Sequence, residues 1–183
     1  MKDLSLHILD IIENSVKAGA NNIEISIEED LNNDILILII KDDGKGMTND
    51  LLNKVTDPFV TTKPDKKTGL GIPLLKQSAE EANGKFSVES AYGNGTIIKA
   101  SFQNSHIDRK PLGDLPETFI SAILLAPKAD FIFRYKINGV DLLIDTKELK
   151  QQIEVETLTD THVLTELKNL LKIKLQEEFP AET

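Results

Sequence analysis

The chain has no cysteine. That absence excludes disulfides, thiolate metal sites and iron–sulfur ligation by this chain, and says nothing of metals held by partner proteins. Long hydrophobic runs are missing as well. The longest apolar stretches, Ile35 to Ile40 and Phe119 to Ala126, are far too short to span a bilayer, and no basic-then-apolar leader opens the sequence. The expectation is a cytoplasmic protein with no membrane partner. Positive charge is scarce, with 21 lysines and arginines against 30 acids and a formal net charge of -9. Such a chain repels a phosphate backbone, and its lysines scatter among acids, so no nucleic-acid partner is expected.

What is present suffices for a core. At 183 residues the chain has the length of one ordinary domain, or of a domain with a smaller appendage. From Asp3 to Ala18, the residues Leu4, Leu6, Ile8, Leu9, Ile11, Ile12 and Val16 surround most of a helix, which predicts that it is largely buried. Gly19 with Ala20, Asn21 and Asn22 stops it. Ile23, Ile25 and Ile27 then alternate with Glu24, Ser26 and Glu28 at the strand period. The unbroken run Ile35 to Ile40, bounded by Asn32, Asn33 and Asp34, predicts a central strand covered on both faces or mostly so. The polar stretch Lys41 to Lys67, with a short apolar patch at Leu51 and Leu52, predicts a lid or binding loop. A second helix opens at Gly71, with Pro73 in its first turn, and stops at Asn83 and Gly84. Phe86 and Val88 pair with Ile97, Ile98, Ala100 and Phe102 as a hairpin around Tyr92 to Gly95.

Prolines, a glycine and charges between Asn104 and Pro116 mark a boundary. It divides the chain into residues 1–104 and a small α/β appendage at 105–183, expected to be an interaction element. The appendage pattern gives a helix at Pro116 to Leu125, a hairpin of Phe131 to Ile137 with Val140 to Ile144, and helices near Lys147 to Gln152 and Thr159 to Phe179. It is marginal as an independent unit and so is expected to pack on the first domain or on a partner. A chain ending near Ser105 is nonetheless expected to keep the first domain's ligand site.

Asp3, His7, Asp10, Asn14 and Lys17 fall three or four residues apart, on one face of the first helix. Alone, that stripe is the solvent face of an amphipathic helix. Lys41-Asp42-Asp43-Gly44-Lys45-Gly46-Met47 places an acid at a strand end, before glycines that let the backbone approach a ligand. Alone, it is an ordinary turn. Asp57-Pro58-Phe59-Val60-Thr61-Thr62-Lys63 precedes Lys67-Thr68-Gly69-Leu70-Gly71, which opens a helix whose unpaired amides and dipole attract anions. Either piece alone is a loop and a capped helix.

In order, Glu13-Asn14-Ser15 with Ala18-Gly19-Ala20, then Asp42 to Met47, Asp57 to Lys63, Thr68 to Gly71, and Gly93-Asn94-Gly95-Thr96 resemble successive nucleotide-binding boxes. They are those of the ATPase superfamily of gyrases, large heat-shock chaperones, histidine kinases and mismatch-repair proteins. The first box looks closest to mismatch-repair and gyrase forms, and the lid to histidine kinases. The resemblance covers roughly Met1 to Phe102. It implies an α+β fold: a two-layer α/β sandwich (the Bergerat ATP-binding fold) with helices over a mixed, mainly antiparallel sheet and nucleotide under a lid. No Gly-x-x-x-x-Gly-Lys-Ser/Thr occurs, so the site is not of the Walker type.

The resemblance implies ATP and Mg2+ as cofactors and gives residues their roles. Asn14 becomes a hard oxygen ligand for magnesium. Asp42 accepts from the adenine amino group, Gly44, Gly46 and Met47 lie along the base, and Thr96 reaches it directly or through water. Lys17, Lys63 and Thr68 are implied phosphate contacts, with the Gly69, Leu70 and Gly71 backbone completing a cradle. Lys66 and Lys67 read either as a solvated pair or as further phosphate contacts. In the hydrolysing members a glutamate one turn before the asparagine is the general base, and Asp10 stands there, one methylene shorter. Glu13 points about a quarter-turn away and is a poorer base.

No helix pair with a phospho-acceptor histidine is found, and His7, His106 and His162 read as structural or exposed. The leading expectation is an ATPase or kinase subunit that hydrolyses ATP or passes its γ-phosphate to a separate partner protein. The alternative is a nucleotide-gated adaptor that does not hydrolyse. Leu6-His7-Ile8-Leu9-Asp10 and Asp130-Phe131 also look similar to small histidine-kinase-like proteins associated with bacterial iron-hydrogenase gene clusters. That likeness implies a redox enzyme as partner, in place of a phospho-acceptor. A homodimer is compatible with either.

Overall fold

The computed structural model describes residues 2–57 and 71–178. Their elements run α1 (Leu4–Lys17), β1 (Asn22–Asp30), β2 (Ile35–Asp42), α2 (Asn49–Leu52), α3 (Gly71–Glu81), β3 (Phe86–Ser90), β4 (Thr96–Gln103), α4 (Leu115–Leu125), β5 (Asp130–Ile137), β6 (Val140–Asp145), α5 (Thr146–Gln152) and α6 (Thr161–Glu178). The strands form one mixed sheet in the order β3-β4-β2-β1-β5-β6. Every neighbouring pair is antiparallel except β1 with β5. The later part of the stretch expected to form the lid, from position 58 on and including Lys63, Lys66 and Lys67, lies outside the described residues together with Thr68, Gly69 and Leu70.

The period of two decides which face meets the helices. In β1 the side chains of Ile23, Ile25 and Ile27 are buried, and Glu24, Ser26 and Glu28 turn the other way. β2 follows the same rule despite its unbroken apolar run. Leu36, Leu38 and Ile40 are buried while Ile35, Ile37 and Ile39 are only half-buried, so the expected cover on both faces is absent. The helices α1, α3 and α4 lie on the face that Leu36, Leu38 and Ile40 share, and across the ladder the outer Ile37 and Ile39 stand beside Glu28, Ser26, Ser101 and Lys99. The inner face holds α1 between α3 and α4, with α6 packed on α4. Leu4, Ile8, Ile11 and Ile12 of α1 are at most 1 % exposed. Burial of each such side chain stabilises the fold by about 1.5–3 kcal/mol. The short α2, capped by Thr48, falls in the stretch read as loop and is too brief to show a helical period.

α1 is held at both ends. Asp3 caps it by accepting from the Leu6 N–H, and the Leu4 and Ser5 N–H groups donate to the carbonyls of Pro111 and Leu112 at 2.9 and 3.0 Å. The boundary segment thus returns to satisfy donors that a helix start leaves unpaired. At the other end Gly19 adopts φ +78°, and the Ala20 N–H reaches back to the Ser15 carbonyl. β5 continues the sheet in register, with Phe131 beside Ile23, Phe133 beside Ile25 and Tyr135 beside Ile27. Phe119 of α4 meets Phe131 edge-on at 6.5 Å and Phe133 at 5.1 Å between ring centroids. The Tyr135 hydroxyl donates to Glu29 at 2.5 Å, and burial together with that carboxylate pushes its pKa up. Leu164, Leu167 and Leu171 of α6 are buried in the same core.

Candidate functional site

One row of the sheet carries the candidate site. Ser90, Thr96, Asp42 and Ile23 stand opposite one another in successive strands, so all four face the helix layer. Asp42 is 8 % exposed. Its Oδ2 accepts from the Ser15 hydroxyl of α1 at 2.7 Å and its Oδ1 from the Gly44 N–H at 2.9 Å. Among the described residues no salt bridge reaches it, so neutral donors hold this carboxylate and leave it lone pairs to offer. A buried acid kept in this way is costly unless a further donor completes it.

The glycines allow two loops to close over this row. Gly46 has φ +66°, and a Cβ there would lie 2.0 Å from the Ala91 carbonyl oxygen; at Gly95, φ +76°, a Cβ would lie 2.0 Å from the Asp42 carbonyl oxygen. Neither position accepts a side chain. The Lys45 N–H donates to the Ala18 carbonyl and the Gly93 N–H to the Lys45 carbonyl, at 2.9 and 2.7 Å, which joins the loops to the end of α1. The Met47 N–H donates to the Ser90 hydroxyl at 2.9 Å. Asp43 faces elsewhere and takes the N–H groups of Asn21 and Asn22, both at 2.8 Å, and the Asn22 side chain. Burial alone would raise the Asp43 pKa, but these hydrogen bonds outweigh it and hold the pKa below the usual value. Of the paired acids, one latches the start of β1 and the other faces the site.

Two residues of the polar stripe of α1, His7 and Asp10, meet the start of α3 at Gly71. Asp10 lies against Gly71, where a Cβ would stand 2.9 Å from the Asp10 Cβ and 3.3 Å from its Oδ2. Asn14 is half-buried, and among the described residues its carboxamide makes no hydrogen bond. Lys17 is exposed and paired with Glu13 one turn earlier on the helix. The structure therefore brings Asp42, Gly44, Gly46, Met47 and Thr96 to one end of the sheet, with Asp10, Asn14 and Gly71 on the helices beside it.

His7, read from sequence as structural or exposed, is 2 % exposed, and neither ring nitrogen has a hydrogen-bond partner among the described residues. Burial, reinforced by positive charges that include Lys110, lowers its pKa from 6.5 to about 4, although the Gly71 backbone acts in the opposite direction. The unfolded chain then binds the proton that the folded chain refuses. Stability present above pH 6.5 is lost as pH falls towards about 4. The loss amounts to about 2 kcal/mol after allowance for partial solvation. Denaturant melts at several pH values are expected to show this slope in the intact chain and not in His7→Leu; an equal slope in both would contradict the assignment.

Sequence reasoning singled out the acid and the glycines as candidates but not the hydroxyls of Ser15 and Ser90 that hydrogen-bond to Asp42 and Met47, because single hydroxyls carry no periodic signal. No helix among the described residues is long and apolar enough to cross a membrane. Sporulation kinase E of Bacillus subtilis (strain 168) is 36% identical over 92 residues, 49% of this chain and 12% of the kinase. Sporulation kinase C of the same organism is 30% identical over 91 residues, 50% of this chain and 21% of that one. The chain thus spans at most about a fifth of the length of these relatives. A crystal structure of the N terminal domain of a DNA repair protein shares the fold, with a TM-score of 0.52 and 17% identity over 79% of this chain and 52% of that one. The model of the family of histidine kinase-, DNA gyrase B-, and HSP90-like ATPases matches residues 2–106, more than half the chain, and the chain belongs to that family of ATP-binding domains.

Proposed function

We propose that this chain binds ATP with magnesium at the Asp42 row and either hydrolyses it or transfers its γ-phosphate to a separate partner protein. The observation that carries the reading is the buried Asp42 carboxylate, held by Ser15 and Gly44 with lone pairs left over. An adenine amino group is the complementary donor, and a guanine carbonyl at that place is not. Gly46, Met47 and Thr96 border the base. The uncommitted Asn14 carboxamide suits magnesium in donor chemistry, and the ion would neutralise charge on the phosphates. Lys17, Lys63 and Thr68, with the Gly69, Leu70 and Gly71 backbone, belong to the phosphate end on the strength of the sequence pattern, as does the nucleotide-responsive lid. Asp10 is the proposed general base, and its place against Gly71 puts it near the start of α3.

The partner is a phospho-acceptor or a redox enzyme met through residues 105–183, and the setting is the cytoplasm. Incubation with γ-labelled ATP, alone and with cell extract, tests the assignment. Free phosphate indicates hydrolysis, a labelled partner a kinase, and neither the nucleotide-gated adaptor. Asp10→Asn is expected to keep ATP affinity and to lower turnover by about a hundredfold or more. Unchanged turnover would remove Asp10 from the role of base.

A further inference from the structure

Ser90, at the end of β3, stands beside Thr96 and touches three polar groups. Its hydroxyl accepts from the Met47 N–H at 2.9 Å, lies 2.8 Å from the Gly95 carbonyl and 3.0 Å from the Thr96 hydroxyl. A hydroxyl has one proton and two lone pairs. The Gly95 carbonyl can only accept, so the proton in that contact comes from Ser90. The remaining contact, between the hydroxyls, then draws its proton from Thr96. The opposite arrangement, with Ser90 donating to Thr96, forfeits the contact to a carbonyl whose residue is buried. With its proton spent on Ser90, Thr96 has only lone pairs left for its other neighbours.

Thr96 stands directly across the ladder from Asp42, on the same face. Asp42 is also an acceptor, already taking one hydrogen bond from Ser15 and one from Gly44. We propose that Ser90 is a specificity-determining positioning residue: by consuming the Thr96 proton it makes the base-facing edge of the pocket acceptor-only, matched to the exocyclic amino group of adenine and closed to a purine with a carbonyl there. This rests on the reading that Asp42 and Thr96 face the base. A carbonyl oxygen placed against these lone pairs gains no hydrogen bond and keeps the cost of its own desolvation.

The test is binding of ATP and of inosine triphosphate, which carries a carbonyl in place of the amino group, to the intact protein and its variants. In Ser90→Ala the Thr96 proton is released and can serve the carbonyl. The preference for ATP is expected to fall by about tenfold, the equivalent of one hydrogen bond, partly through tighter binding of inosine triphosphate. Because Ser90 acts through Thr96, adding Ser90→Ala to Thr96→Val is expected to leave the preference of Thr96→Val within about twofold. Ser90→Cys, similar in shape and a poor acceptor, shifts the preference in the same direction and serves if Ser90→Ala does not fold. Mere support of the loops would weaken both nucleotides alike, and that result overturns the inference. An intact protein that prefers ATP, with the preference unchanged in the Ser90 variants, overturns this inference and leaves the base reading standing. An intact protein that binds both nucleotides equally overturns both.

Discussion

Replacing Asp42 with alanine is expected to weaken ATP binding by about a hundredfold or more while the chain stays folded. A hydrogen bond to a charged group contributes about 1.5–3 kcal/mol, which alone is about ten- to over a hundredfold in affinity. The substitution also removes the acceptor of the Ser15 hydroxyl and of the Gly44 N–H, so the turn that carries Gly46 loses its anchor. Folding is expected to survive because the apolar core beneath, including Ile23, Ile40 and Ile98, is untouched. Asp42→Asn separates charge from shape. Its carboxamide has one accepting end in place of two and no charge, so fewer lone pairs remain for the nucleotide's amino group once the Gly44 N–H is satisfied, and a loss nearly as large is expected. Calorimetric titration with circular dichroism as the folding control reads both variants. Affinity equal to that of the intact chain would show that the base lies elsewhere.

Ending the chain after Ser105 is expected to abolish cooperative folding of the remainder, contrary to the sequence-based expectation that the first domain keeps its site alone. The cut removes β5 from the β1 edge, α4 from α1 and the carbonyls that cap α1. Phe119, Ile123, Phe131 and Phe133 leave the core together, all at most 3 % exposed. Each is worth about 1.5–3 kcal/mol, and their sum rivals the 5–15 kcal/mol typical of a whole domain. An open β1 edge adds an exposed row of unpaired backbone groups. A thermal melt of residues 1–105 is expected to show no sharp transition; a sharp one, with ATP binding retained, would show that the family region stands by itself.

The strands and long helices were legible because burial on one face leaves a period in the sequence. Ile23, Ile25 and Ile27 mark a strand, and the glycines at positions 19, 46 and 95 sit where φ is positive. Long-range pairing leaves no such mark. Nothing around Asp130 to Ile137 announces that its partner is β1, more than a hundred residues earlier, or that the two run parallel. The Pro111 and Leu112 carbonyls that cap α1 are backbone atoms, which no side-chain pattern reports. Within the site, Asp42 was legible from the glycines that follow it, whereas Ser15 and Ser90 gain their roles only from what the fold sets beside them. His7 lay in a polar stripe whose simplest reading was solvent, and only the position of α3 shows that this part of the stripe is buried.

The measurement closest to the central claim is calorimetric titration of the intact chain with ATP, first in excess magnesium and then in excess chelator. A saturable heat for one nucleotide per chain, weakened when the metal is withdrawn, is the predicted result. No heat of association with magnesium present, on material shown to be folded, would contradict the account.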